Sequence, residues 1–282
     1  MSGLLGAVVV IASMSSIVLA ESESPDETQT DFAALGETPL RMNLDVGAWL
    51  VRAKGTASNG GAELQMGDDT SSSLDLGNLR GLLRGELTLA KDPWAVRIMG
   101  THGSWSGTAN LANTTTWGGQ TLTSGVDYDS SFDMSWMAVE GHWYPVILFG
   151  DGRRDTVEPV EFLFGPHVGV TWLDLDQSLA GVDNSASWWT AYAGADLLLD
   201  IDLRPFTSLL HGVSVDFGGS VGKTMSGGGL FYKVRAGMTL HITPNIGATI
   251  GYRLMEYHGL EDGSWNIAPS FPGLFVGANV TF

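Results

Sequence analysis

In successive stretches of about ten residues from residue 43 to the last residue, the sequence places large apolar residues at every second position and polar or small ones between them. That period of two is the mark of strands with two unlike faces, and it leaves little room for any other element. It is clearest near the C-terminus. Over residues 230 to 242, Tyr232, Val234, Ala236, Met238, Leu240 and Ile242 share one face, and Lys233, Arg235, Gly237, Thr239 and His241 share the other. Residues 245 to 256 repeat the pattern, with Ile246, Ala248, Ile250, Tyr252 and Leu254 opposite Asn245, Gly247, Thr249, Gly251 and Arg253, and Thr243-Pro244 marks a tight turn between them. Ten such stretches stand out: 43–54, 80–90, 94–104, 130–143, 160–173, 188–200, 212–222, 230–242, 245–256 and 273–282. No long segment has a 3.6-residue period, and after the N-terminal segment no run of apolar residues is long enough for a membrane helix.

Alternation does not say which face is inside. A soluble barrel turns its apolar face inward, whereas a membrane barrel turns it to lipid. The polar faces here carry charges of both signs in mid-strand, Arg84, Arg97, Lys233, Arg235 and Arg253 against Glu86, Asp196 and Asp216, together with many of the 38 glycines. Small residues and mutually pairing charges suit a narrow lumen better than a water-facing surface. Aromatics gather near strand ends, at Trp94, Trp105, Trp143, Tyr144, Trp172, Trp188, Trp189 and Tyr257, as in the girdles at a membrane interface. Strand 4 is ambiguous, because Glu140 shares a parity with Trp136 and Ala138.

Connection lengths point the same way. Those after strands 1, 3, 5, 7 and 9 cover residues 55–79, 105–129, 174–187, 223–229 and 257–272, while those after strands 2 and 8 are only Lys91-Asp92-Pro93 and Thr243-Pro244. Long and short connections at opposite ends predict an all-β, antiparallel, up-and-down transmembrane β-barrel with both termini on the periplasmic side. Ten strands are expected. Strands 1 and 7 alternate least, so eight or twelve are the alternatives. The low charged fraction, 16%, follows from lipid-facing positions that tolerate almost no charge.

The first 20 residues are apolar and end in Val18-Leu19-Ala20, an approximate small-x-small cleavage pattern, although no Lys or Arg precedes the apolar core. We read residues 1–20 as a cleaved signal peptide and residues 21–41, with six acids and two prolines, as a flexible acidic periplasmic tail. Residues 42–282 form the barrel.

Three features carry a resemblance: the final strand ending on Phe282, the alternating glycines that lead to Tyr252 in ITPNIGATIGYR, and GPHVGVTWLDLD in strand 5. With the signal segment, they make the chain similar to the bacterial outer-membrane β-barrel proteins of the small porin-like or OmpA-like kind. The resemblance implies location in the cell outer membrane among its lipids. It also implies assembly by the barrel-assembly machinery, which would read Phe282 with Val280, Ala278 and Val276. Ten strands imply a lumen mostly filled by side chains. Architecture is specified well by these motifs and activity poorly.

Chemistry-bearing residues are few. His102 and Ser104 share an outward parity with Val96 and Ile98, and a His-x-Ser pair on a lipid-facing strand resembles outer-membrane phospholipase and lipid A deacylase, where a base activates a hydroxyl. Asp127, Asp129 and Asp133 are the candidates for the third group. Asp174 and Asp176 with Glu256 and His258 loosely resemble the carboxylate and Asp-His pairs of omptin proteases, but parity turns Asp174 toward lipid. The six histidines show no metal-ligand spacing and there is no cysteine, so neither metal nor cofactor is expected. A net charge of −17 argues against nucleic acid. The reading is a non-enzymatic barrel with a structural, surface-interaction or narrow-pore role, a lipid hydrolase using His102 and Ser104 being the alternative.

Overall fold

The computed structural model describes residues 40–61, 63–67, 72–91, 93–149 and 160–282. The expected signal segment and nearly all of the acidic tail lie outside the described residues. Ten long strands make up the fold: β1 (Arg41–Val51), β2 (Arg80–Lys91), β3 (Trp94–Leu111), β4 (Asp127–Trp143), β5 (Val160–Leu179), β6 (Val182–Asp202), β7 (Gly212–Thr224), β8 (Leu230–His241), β9 (Ile246–His258) and β10 (Trp265–Thr281). Each pairs antiparallel with its sequence neighbours. Closure comes from β1 on β10, from Asn43 opposite Thr281 to Val51 opposite Gly273. The up-and-down barrel read from the period of two is thus observed, with ten strands.

Outward residues in the middle of the barrel are apolar and exposed, among them Val46, Val96, Ile98, Val139, Val168, Val170, Phe217, Val221, Ile250 and Val276. Charged residues on the opposite parity, including Arg84, Glu86, Glu140, Lys233 and Arg253, are buried in the lumen. This is the distribution of a barrel that has lipid outside. Along β5 the outward apolar run extends from Phe162 to Trp172, which at about 3.3 Å per residue and a tilt of about 40° is on the order of 25 Å tall, the height of a membrane band. Aromatic residues mark both edges. Trp94 stacks on Trp143 near the end that carries the termini, with ring centroids 5.5 Å apart, and Trp172 faces Trp189 in register at the other.

Beyond that second edge the strands continue, and their faces exchange character. On β4 the outward residues change from Ser131, Asp133 and Ser135 to Met137, Val139 and Trp143, while the inward ones change from Phe132, Met134 and Trp136 to Glu140 and His142. One strand thus passes from a water-surrounded barrel with an apolar core into a lipid-surrounded barrel with a charged core. The exchange explains why Glu140 shares a parity with Trp136: all of Phe132, Trp136, Ala138, Glu140 and His142 face the lumen.

Two sequence expectations are corrected here. Most of the residues expected in long loops after strands 3, 5 and 9 are strand: β3 runs on to Leu111, β5 to Leu179, β6 starts at Val182 and β10 at Trp265. Only Ala180 and Gly181, both at positive φ, turn the chain between β5 and β6, the backbone that a two-residue hairpin requires. In addition, Trp105, Trp188 and Tyr257 are not girdle residues. They are buried in the lumen core; of the expected tryptophans, Trp94, Trp143, Trp172 and Trp189 take the outward parity.

Candidate functional site

The eight charged residues expected in the lumen all point into it, and the structure joins most of them into one layer. Glu86, on β2, is its hub. Its Oε1 accepts from Arg235 Nη1 at 2.7 Å and lies 3.2 Å from Arg97 Nε, while Oε2 accepts from Arg84 Nη2 at 2.9 Å and lies 3.3 Å from Arg253 Nη2. Asp45 takes the other end of Arg84 at 2.8 Å, and Asp216 takes Arg235 Nε at 2.8 Å. A second carboxylate, Glu140, accepts from Lys233 and from the Tyr192 hydroxyl, the latter at 2.7 Å, and lies 3.7 Å from Arg97 Nη1. Asp45 and Glu140 were not expected from the sequence. Asp196 sits apart from the arginines, against His142 and His167.

Above this layer, away from the termini, aromatic side chains are buried inside the lumen. The Phe275 ring lies under the guanidinium of Arg84 at 4.4 Å and within 5.8 Å of those of Arg235 and Arg253, a cation–π boundary between charged and apolar zones. Beyond it, side chains from strands that are not neighbours meet across the lumen. Trp105 and Phe132 both pack on Phe271 of β10, with centroids 6.0 and 6.2 Å apart, and Trp136 Nε1 donates to the Tyr257 hydroxyl at 3.2 Å. The connection after β1 folds over the same level. Its residues Lys54–Asn59 pair with Trp265–Ser270, and Ala57, Leu64, Met66, Leu74 and Leu76 are buried.

On the side of the termini the barrel is open. A cavity of about 430 Å³ rises from that end to the charge layer, lined by Asn43, Glu86, Arg97, Asp196, Asp216, Arg235 and Thr249 among others. At its wall His142 Nδ1 and His167 Nδ1 meet Asp196 Oδ2 at 2.7 and 2.8 Å. Scattered along the chain, the two histidines are brought together by register, as direct partners on β4 and β5. The outcome differs from the expectation of unrelated histidines, because spacing along the chain carries no information about a pairing set by register.

The outer face yields a different picture from the one the His-x-Ser pair suggests. His102 and Ser104 do face outward, but His102 Nδ1 bonds Ser135 Oγ on β4 at 2.9 Å, and Ser104 stands opposite Asp133. In the row through His102, Ser135 and Asp174 the carboxylate is beyond the serine, and the residue on the far side of the imidazole is Leu83. A carboxylate orienting the base stands on the far side of the imidazole from the nucleophile, and here that place is apolar. Asp127 is bound to Asn110 at 2.7 Å. Asp174 and Asp176 on β5, and Glu256 and His258 on β9, all take the outward parity on strands far apart around the barrel, so they do not face one another over a mouth.

No family model matches the chain, and no curated protein matches its sequence. The structure is similar to that of the outer membrane protease OmpT from Escherichia coli, at 9% identity over 89% of this chain and 99% of that one, with a TM-score of 0.48. It is also similar to the attachment invasion locus protein Ail of Yersinia pestis, at 13% identity over 86% and 99%, with a TM-score of 0.31. A third is the transport unit of the autotransporter AIDA-I from Escherichia coli, at 11% identity over 90% and 92%, with a TM-score of 0.34. The chain itself is a closed, ten-stranded, antiparallel up-and-down barrel with an apolar outer belt. At these identities the likeness concerns the path of the backbone and says nothing of activity.

Proposed function

We propose that this chain is a non-enzymatic outer-membrane barrel whose lumen is closed, and which holds an acidic, water-facing sheet outside the cell and a polar cavity toward the periplasm. The observation that carries the reading is the aromatic layer in which Trp105, Phe132, Trp136, Tyr257 and Phe271 meet across the lumen, directly over a charge layer with an apolar belt around it. A passage for solutes needs a continuous polar path, and this layer interrupts it. The role that remains is structural or one of surface interaction, carried by the strand extensions, where Asp129, Asp133, Asp174, Asp176 and Asp183 take the outward parity. Absence of catalysis is supported by Leu83 occupying the place of an orienting group beside His102. The outward face of β10, with Val276, Ala278 and Val280 leading to Phe282, is the element we assign to recognition by the assembly machinery.

The chain has no cysteine, so single cysteines report position cleanly. In intact cells a membrane-impermeant maleimide is expected to label Ser178→Cys, on the β5 extension, and to leave Thr243→Cys, in the turn between β8 and β9, unlabelled until the outer membrane is opened. The reverse pattern would invert the orientation. A chain that remained monomeric and soluble without detergent would contradict the membrane assignment.

A further inference from the structure

We propose that His142, His167 and Asp196 form a site for one divalent transition-metal ion, Zn²⁺ being the simplest case, reached from the cavity on the side of the termini. The three ligand atoms lie within 4.8 Å of one another, and both Nδ1 atoms converge on the same carboxylate oxygen, at 2.7 and 2.8 Å. Ligands held at about 2.0–2.2 Å from a tetrahedral Zn²⁺ are about 3.3 Å apart, so an ion enters by lengthening the two His–Asp contacts by about half an ångström.

The partners of the outer ring nitrogens favour the same conclusion. His167 Nε2 is 2.7 Å from Ser220 Oγ, and His142 Nε2 is 3.3 Å from Glu140 Oε2. His142 Nε2 and Glu140 Oε2 are both buried, and neither has a hydrogen bond among the described residues. A neutral His142 that gives its one N–H to Asp196 turns a lone pair toward Glu140, which is repulsive. With a metal on Nδ1 the proton moves to Nε2 and points at the carboxylate, the carboxylate–histidine–metal arrangement that fixes ring orientation and raises ligand basicity. His167 is then satisfied in the same way through Ser220.

The surrounding backbone is shaped for this cluster. A Cβ on Gly194 would fall 2.6 Å from His167 Nε2, and one on Gly218 would fall 2.0 Å from Asp196 Oδ1. Two imidazoles and one carboxylate, without thiolate, suit zinc, nickel, copper or iron rather than magnesium or calcium, which take oxygen ligands. Asp196 lines the cavity while both histidines are buried, so the remaining coordination position opens toward the cavity.

The test uses untagged full barrel in detergent micelles, stripped with a chelator and titrated with Zn²⁺ against a chromophoric competitor and with Co²⁺ by visible absorption. One equivalent is expected to bind. His142→Gln and His167→Gln are each expected to weaken binding at least about 100-fold, and Ser220→Ala about 10-fold, as for changes behind a metal ligand. His102→Gln with His258→Gln, on the outside, is expected to leave affinity unchanged. Heat-modifiable gel migration reports whether each variant folds. X-ray absorption of the Zn²⁺-loaded wild type must show two imidazole ligands, a readout that needs no variant. Folded wild type that binds no ion, binding that His142→Gln and His167→Gln leave intact, or a first shell without imidazole would each overturn the proposal.

Discussion

The indole nitrogen of Trp136 donates to the hydroxyl of Tyr257 at 3.2 Å, tying β4 to β9 across the lumen between residues 121 apart in sequence. Both side chains are fully buried, so the pair combines one hydrogen bond with extensive ring packing. Packing should dominate. Trp136→Ala is expected to lower unfolding free energy by about 3–5 kcal/mol, the range for removing a large aromatic from a core. Tyr257→Phe is expected to cost about 0.5–1.5 kcal/mol, the net worth of a hydrogen bond. Urea unfolding of the barrel in micelles separates the two, and equal costs would contradict a packed seal.

Among the described residues, Glu86 is the one carboxylate within reach of four guanidiniums, those of Arg84, Arg97, Arg235 and Arg253. Its replacement by Gln removes the carboxylate paired with the buried Arg253 and leaves the layer with one more uncompensated positive charge, which costs about 3–5 kcal/mol. Asp216 contacts only Arg235 among these and is more exposed, so Asp216→Asn is expected to cost clearly less. If the two variants unfold at the same urea concentration, Glu86 is not the hub of the layer.

Asp174 lies beyond the membrane band, and burial together with the neighbouring charge of Asp176 raises its carboxyl above the ordinary range. A carboxyl that holds its proton more tightly when folded opposes folding at pH above its folded pKa, and stops doing so as pH falls through that value. Asp174→Asn is therefore expected to raise the urea midpoint near neutral pH, with the gain disappearing on acidification through the carboxylate range. A gain that persists unchanged in acid would place its origin elsewhere.

The outer-face histidine supplies a test of the non-enzymatic reading. Cells expressing the wild type, Ser135→Ala, Ser104→Ala or His102→Ala are expected to show the same phospholipid and lipid A profiles by mass spectrometry. Each substitution is expected to change stability by no more than about 0.5 kcal/mol, as for exposed positions. A deacylated product present with the wild type and lost with either serine variant would establish a hydrolase.

The barrel was legible in the sequence because lipid imposes one rule on every outward position of the membrane band, which β8 obeys along its whole length and β9 as far as Leu254. The extensions were not, because β3, β4 and β5 reverse which face is apolar at Gly100, Met137 and Trp172, and a reversal within one strand reads as the end of a strand. Trp105 and Trp188 look like girdle residues for the same reason. Of the site, the parity of the charges located Arg84, Glu86, Arg235 and Arg253 in the lumen. The junction of His142 with His167 depends on the register of β4 against β5, which no spacing along one strand reveals. Glu140 carried the available signal, a charge on the parity of Trp136, and its meaning became plain only with the exchange of faces.

The closed lumen is tested most directly by ion current. Purified wild-type barrel inserted into a planar bilayer, with insertion shown independently by protease protection of the strands, is expected to give no stepwise conductance above the bare membrane. A variant in which Trp105, Trp136 and Phe271 are all replaced by Ser, so that the aromatic layer becomes polar, is expected to conduct. Regular conductance steps from the wild type, of a size unaffected by those substitutions, would contradict the account.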